Sequence, residues 1–109
     1  MQSAVYPLTH RAVIEKAPKA SGVYCIFTSK RWVHVGETDD IQQNLFTHLN
    51  EPGVCLRRFR PLSFSFALIS VAERPAVLSA LIAARNPACT LRMGSPGWLN
   101  AAWLRRSSG

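Results

Sequence analysis

The run Gly22-Val23-Tyr24-Cys25-Ile26-Phe27-Thr28, interrupted by Ser29-Lys30 and resumed as Arg31-Trp32-Val33-His34-Val35 before Gly36, decides the fold. Aromatic and β-branched side chains dominate both halves. A two-residue break between two such runs predicts a β-hairpin, with Gly36 expected to end its second strand.

Upstream, Thr9 to Ala17 reads as a short helix capped by Thr9 and stopped before Pro18. Downstream, Thr38 or Asp39 can cap a helix over Asp40 to Leu49, and Asp39 and Asp40 sit where the positive helix end favours acids. Ile41, Leu45 and Leu49 repeat every four residues and give that helix one buried stripe. Asn44 and His48 run along its edge and are expected to face the sheet. Pro52-Gly53 marks a turn. Leu62 to Ser70 alternates as a strand, with Leu62, Phe64, Phe66 and Leu68 on one face. Pro75 suits the first turn of a helix reaching Arg85, its Val77, Leu78, Leu81 and Ile82 facing inward, and Pro87 ends it. Ser95-Pro96 can open a last short helix with Trp98 and Trp103 on its apolar side. The expected fold class is α+β, a small three-stranded antiparallel sheet flanked by helices in one domain over residues 1–109, with a helical extension over 95–106.

Composition bounds the function. With 48% apolar and 17% charged residues, the 109-residue chain does not fit the disordered class. Its net charge of +7 is unevenly spread. Residues 1–54 balance Arg11, Lys16, Lys19, Lys30 and Arg31 against Glu15, Glu37, Asp39, Asp40 and Glu51. Residues 55–109 carry Arg57, Arg58, Arg60, Arg74, Arg85, Arg92, Arg105 and Arg106 against Glu73 alone, so the whole excess lies there. Arginine's planar fork matches pairs of phosphate oxygens, which makes a phosphate-rich partner the first expectation. Cys25, Cys55 and Cys89 are widely spaced with no C-x-x-C, indicating neither a disulfide framework nor a zinc finger. They read as small core hydrophobes in a reducing compartment, by default the cytoplasm. No apolar run suits a membrane span. The arginine- and alanine-rich composition suggests a bacterial source.

Gly22-Val23-Tyr24, then His34-Val35-Gly36-Glu37, then a helix ending Thr47-His48-Leu49 resembles the GIY-YIG nuclease superfamily, in which a Gly-Ile/Val-Tyr strand precedes a Tyr-Ile/Val-Gly strand. Val77-Leu78-Ser79-Ala80-Leu81-Ile82, followed by Asn86-Pro87-Ala88-Cys89-Thr90, resembles the family's later helix and its terminal asparagine. The likeness runs from Ser21 to Thr90, about two thirds of the chain. It implies phosphodiester hydrolysis with one divalent metal. A helix carboxylate would hold the metal, a tyrosine would relay the proton of the attacking water, and an arginine would stabilise the pentavalent phosphorus.

Carried over residue by residue, those roles are mostly vacated. Tyr24 stays, His34 replaces the second tyrosine, and His48 keeps a place that the family also fills with histidine. The arginine position falls on Asn44, the metal-binding glutamate on Leu78 and the terminal asparagine on Thr90. No metal ligand is expected. Glu37 reads as a solvated acid, and Glu73 as a residue outside the pocket that caps its helix near Pro75.

Three functions follow. The first is a catalytically inactive GIY-YIG-like domain that binds nucleic acid, DNA foremost, through Lys30, Arg31, Arg57, Arg58 and Arg60, with Trp32 or Trp103 available to stack on bases. The second is an active Mg2+-dependent endonuclease with displaced catalytic residues, the one reading that requires a cofactor. The third is a protein interaction or assembly module, a homodimer included, that reuses the scaffold.

Overall fold

The structure, a computed structural model, describes residues 4–90. The elements follow in the order β1 (Tyr6–Pro7), α1 (His10–Lys16), β2 (Gly22–Phe27), β3 (Trp32–Thr38), α2 (Ile41–Asn50), α3 (Gly53–Leu56), β4 (Ser63–Leu68) and α4 (Arg74–Arg85). The predicted hairpin is β2 and β3, antiparallel from Gly22 opposite Thr38 to Phe27 opposite Trp32. Its tip is closed by Thr28, whose hydroxyl oxygen accepts from the Lys30 and Arg31 amides.

Strand β4 pairs antiparallel with the other edge of β2. A fourth strand then adds to the three expected: Tyr6 and Pro7 pair with Phe64 and Ser63, giving the order β1-β4-β2-β3. Two residues, one of them proline, carry no periodicity from which a strand can be read.

Strand β3 runs on through Gly36 to Thr38, where the sequence suggested a stop. The reason is a close approach. A Cβ at Gly36 would stand 2.6 Å from the Tyr24 hydroxyl, so the glycine makes room for the ring opposite it without breaking the strand. A register shift between Ile26 and Phe27 leaves Val33 as an extra residue, a bulge at the sheet edge.

Helix α1 is capped by Thr9, which accepts from the Ala12 amide. Asp40 is the cap of α2, in place of the expected Thr38 or Asp39, and accepts from Gln43. Thr38 accepts instead from the Asp40 amide.

Two apolar clusters sandwich the sheet. On one side Tyr24, Ile26, Val33 and Phe64 pack with Ile41 and Leu45 of α2, Val13 of α1 and Leu56 of α3. Burying one such aliphatic side chain contributes roughly 1.5–3 kcal/mol. On the other side Val23, Cys25 and Val35 meet Val77, Leu78 and Leu81 of α4, none of which is fully buried. Phe64 and Phe66 take the expected side of β4, while Leu68 remains 63% exposed at its end.

The cysteines correct the sequence reading. Cys25 is the buried core thiol expected of it, but Cys55 and Cys89 form a disulfide, their Cα atoms 5.8 Å apart. Spacing along the chain gave no sign of this, because a separation of 34 residues is closed by the turn of α3 and the return of α4. The thiols therefore no longer argue for a reducing compartment. Among the described residues no helix is long and apolar enough to cross a membrane. The expected helix over 95–106, with Trp98 and Trp103, lies outside the described residues.

Candidate functional site

Tyr24 on β2 and His34 on β3 share a sheet face because their strand partners alternate in step: Tyr24 stands opposite Gly36, and Ile26 opposite His34. Helix α2 crosses that face. Asn44 and His48, on the edge of its stripe, face the sheet as expected and reach the Tyr24 hydroxyl, a contact the sequence did not specify. That hydroxyl lies 2.8 Å from His48 Nε2, 3.3 Å from Asn44 Nδ2 and 3.5 Å from His34 Nε2. The imidazole rings of His34 and His48 meet edge to face with centroids 4.6 Å apart.

Thr90 completes the group from the segment after α4. Its hydroxyl oxygen accepts from the Val35 amide at 2.8 Å and lies 3.2 Å from His34 Nδ1. This segment is held along β3 by Ala88 and Cys89, whose amides donate to the carbonyls of Trp32 and Val33.

One set of proton directions satisfies the group. Thr38 donates to Asn44 Oδ1 at 2.6 Å, which turns the Asn44 amide nitrogen toward Tyr24 as a donor. Thr90, already an acceptor from Val35, donates to His34 Nδ1. His34 then carries its proton on Nε2 and donates weakly to the phenol. With two donors aimed at its oxygen, Tyr24 gives its own proton to His48 Nε2, the shortest of its contacts.

Burial sets the charge states. It pushes the Tyr24 phenol up to about 12, against a smaller opposing effect of the Asn44 hydrogen bond. It also depresses His34 to about 4, helped by His48, and holds His48 below the ordinary imidazole value. At neutral pH every member of the group is uncharged.

The remaining candidates fall elsewhere. Leu78 packs with the cluster of Val23, Cys25 and Val35, across the sheet from Tyr24. Glu37 and Asp39 are held by Arg74, which also donates to the Thr38 carbonyl at 2.7 Å and to Ser21. The hydrogen bonds that Arg74 donates to Asp39, foremost, and to Glu37 hold its guanidinium above its ordinary value. Glu73 occupies the cap position of α4 without a side-chain capping bond. The divalent ion that the fold would use does not fit this site. Mg2+ demands oxygen ligands and at least one carboxylate, and Tyr24 is surrounded by two imidazoles and an amide. Among the described residues no three His, Cys, Asp or Glu side chains gather to hold a metal.

The basic residues come together in a way that the sequence did not reveal. Lys30 and Arg31 form the hairpin tip. Arg60 precedes β4, whose start pairs with the tip end of β2. The Cys55–Cys89 bond pins α3, and with it Arg57 and Arg58, beside the Trp32 and Val33 backbone. Arg85, at the end of α4, lies 4.9 Å over the Trp32 ring. Trp32 is half-buried against Phe27, so one of its faces is already occupied. All six cations are exposed and share one end of the sheet. Glu37, Asp39, Asp40 and Glu73 lie at the opposite end, where β3 finishes and α2 and α4 begin.

An antiparallel sheet with tyrosine and histidine across its central hairpin, a helix laid over them and a later segment returning to β3 define a small α+β scaffold. The chain has the GIY-YIG endonuclease fold. Solved structures of the GIY-YIG N-terminal endonuclease domain of UvrC from Thermotoga maritima superpose on it. One point mutant bound to its catalytic divalent cation has a TM-score of 0.63 at 20% identity, covering 76% of this chain and 96% of that one. Another gives 0.62 at 21% identity over the same shares. The magnesium-bound domain gives 0.60 at 20%, covering 72% and 92%. No family model and no curated protein matches the sequence.

Proposed function

We propose that this chain is a catalytically silent domain of GIY-YIG fold that binds nucleic acid, DNA foremost, through the basic end of its sheet. The observation that carries the reading is the gathering of Lys30, Arg31, Arg57, Arg58, Arg60 and Arg85 at one end, away from Glu37, Asp39, Asp40 and Glu73. Such a field attracts a polyanion and orients it. The structural neighbours are endonuclease domains, which supports a nucleic-acid partner.

Silence is supported by the site. Catalysis of phosphodiester cleavage depends on charge placed where the phosphorane forms. Asn44 supplies none, Leu78 lies across the sheet, and the proton of Tyr24 is already committed to His48.

The test is fluorescence anisotropy at low salt with single-stranded, duplex and branched DNA and an RNA hairpin, together with a cleavage assay in Mg2+ and Mn2+. Binding that the triple variant R57E/R58E/R60E weakens and R11E spares is expected, since Arg11 is paired with Glu15 on α1. Absence of binding to every probe sinks the proposal. Cleavage that EDTA abolishes replaces it with the nuclease reading. A nucleic-acid partner fits a cytoplasmic setting while the Cys55–Cys89 bond favours an oxidising one. Trapping of thiols in intact cells decides between them.

A further inference from the structure

His34 Nε2 and His48 Nε2 both approach Tyr24 Oη, and the geometry points to a binding site there for a borderline transition-metal ion, Zn2+ or Co2+, held by two imidazoles and a phenolate. The donor spacing carries the inference. Metal–ligand bonds of about 2.0–2.1 Å in a tetrahedron place neighbouring donors about 3.3–3.4 Å apart. The phenol oxygen stands 2.8 Å from one imidazole nitrogen and 3.5 Å from the other, on either side of that edge length. The two rings meet edge to face with centroids 4.6 Å apart, and one nitrogen of each faces the same phenol oxygen. Imidazole suits Zn2+ and Co2+, whereas the missing carboxylate matters only to a harder ion.

The surroundings supply what such a site needs. Metal-bound histidines are oriented by a partner on the second ring nitrogen. His34 has Thr90 there, and the Thr90 hydroxyl has an alternative acceptor in the Val35 carbonyl at 3.4 Å. When the ion binds, that hydroxyl turns to Val35 and its oxygen accepts from His34 Nδ1, which leaves Nε2 as a lone pair. His48 Nε2 is already an acceptor. The ion takes the place of the Tyr24 proton, which leaves to solvent, so each ion bound releases one proton from the protein. The His34 proton moves from Nε2 to Nδ1 within the neutral ring and His48 Nε2 carries none, so neither ring gives up a proton to solvent. Among the described residues no cation contacts the phenol, and Asn44, an uncharged amide, stands beside it.

The experiment uses the untagged full chain, stripped with chelator and kept non-reducing so that Cys55 and Cys89 offer no thiolate. Zn2+ is titrated by calorimetry in two buffers of different ionisation enthalpy, and Co2+ by its visible absorption. The expected result is one ion per chain, one proton released, and a phenolate difference band in the ultraviolet. H34Q and H48Q should each weaken binding at least about tenfold. Y24F should keep weakened binding but lose the proton and the band. H10Q, whose histidine is engaged with Asn50 away from the group, should bind as the parent does. If H34Q or H48Q fails to fold, T90V, which leaves all three donors in place while removing the hydroxyl that His34 and the Val35 amide share, should still weaken binding by about tenfold. Unchanged binding in the folded His variants or in T90V, release of no proton by the parent, or no saturable binding overturns the site.

Discussion

At Gly36 a hydrogen atom is all that separates the β3 backbone from the Tyr24 ring, with the hydroxyl oxygen 2.6 Å and the ring carbon bearing it 2.7 Å from where a Cβ would stand. The ring is 2% exposed and tied to His48 and Asn44, so it cannot swing aside. Gly36→Ala should cost about 1–3 kcal/mol, the range for overpacking, and be seen as a lower midpoint in chemical denaturation. An unchanged midpoint would mean that the ring is free to move. His34 sets a second expectation, in its metal-free form. Its folded pKa of about 4 lies below the unfolded value, so between pH 6.5 and about 4 the unfolded chain binds the extra proton. This contribution is fully present above pH 6.5 and is lost as the pH falls through that window, a change of about 3 kcal/mol at 1.4 kcal/mol per unit. Denaturation across pH 4–7 in EDTA should show stability rising with pH, and His34→Gln should flatten the rise.

Among the elements, periodicity made the longer ones legible. The four-residue repeat of Ile41 and Leu45 located α2 and its buried stripe, and the same helix put Asn44 and His48 where they meet Tyr24. What stayed hidden is short or non-local. Strand β1 has two residues and α3 four, too few for a period to show, and α3 begins at Gly53 where Pro52-Gly53 reads as a turn. Gly36 looked like a strand end because a glycine's role in accommodating a ring depends on the neighbouring strand. The Cys55–Cys89 pairing likewise depends on the three-dimensional return of α4 to β3. That bond closes a loop of 34 residues, and the chain-entropy relation gives it about 4 kcal/mol of stabilisation. Replacing both cysteines by serine should lower the unfolding free energy by up to that amount. Because Cys89 adjoins Thr90, the Val35 amide should also exchange with deuterium faster in the variant. Equal stability with and without reductant would show that the bond does not form.

Over the whole molecule, the described part of the excess charge in residues 55–109 acquires a position, while Arg92, Arg105 and Arg106 lie outside the described residues. Sequence order divides the cations between a hairpin tip and a later half, while the antiparallel register of β2 with both β3 and β4 returns them to one end. Arg74 is the exception: it sits at the acidic end, engaged by Glu37 and Asp39, and lends nothing to an external anion. Among the described residues the cationic end therefore offers six cations for phosphate. Each phosphate neutralised contributes about 0.9 to the slope of log affinity against log salt on duplex DNA, so a duplex fully engaged there should show a slope near −5. Removing Arg57, Arg58 and Arg60 should reduce that slope by about 3, whereas Arg74→Ala should leave it unchanged even as it destabilises the end of β3. Anisotropy titrations over a series of salt concentrations measure both. A slope that responds to Arg74 as strongly as to the three arginines would move the contact surface to the opposite end of the sheet, because counterion release counts only the cations that meet phosphate.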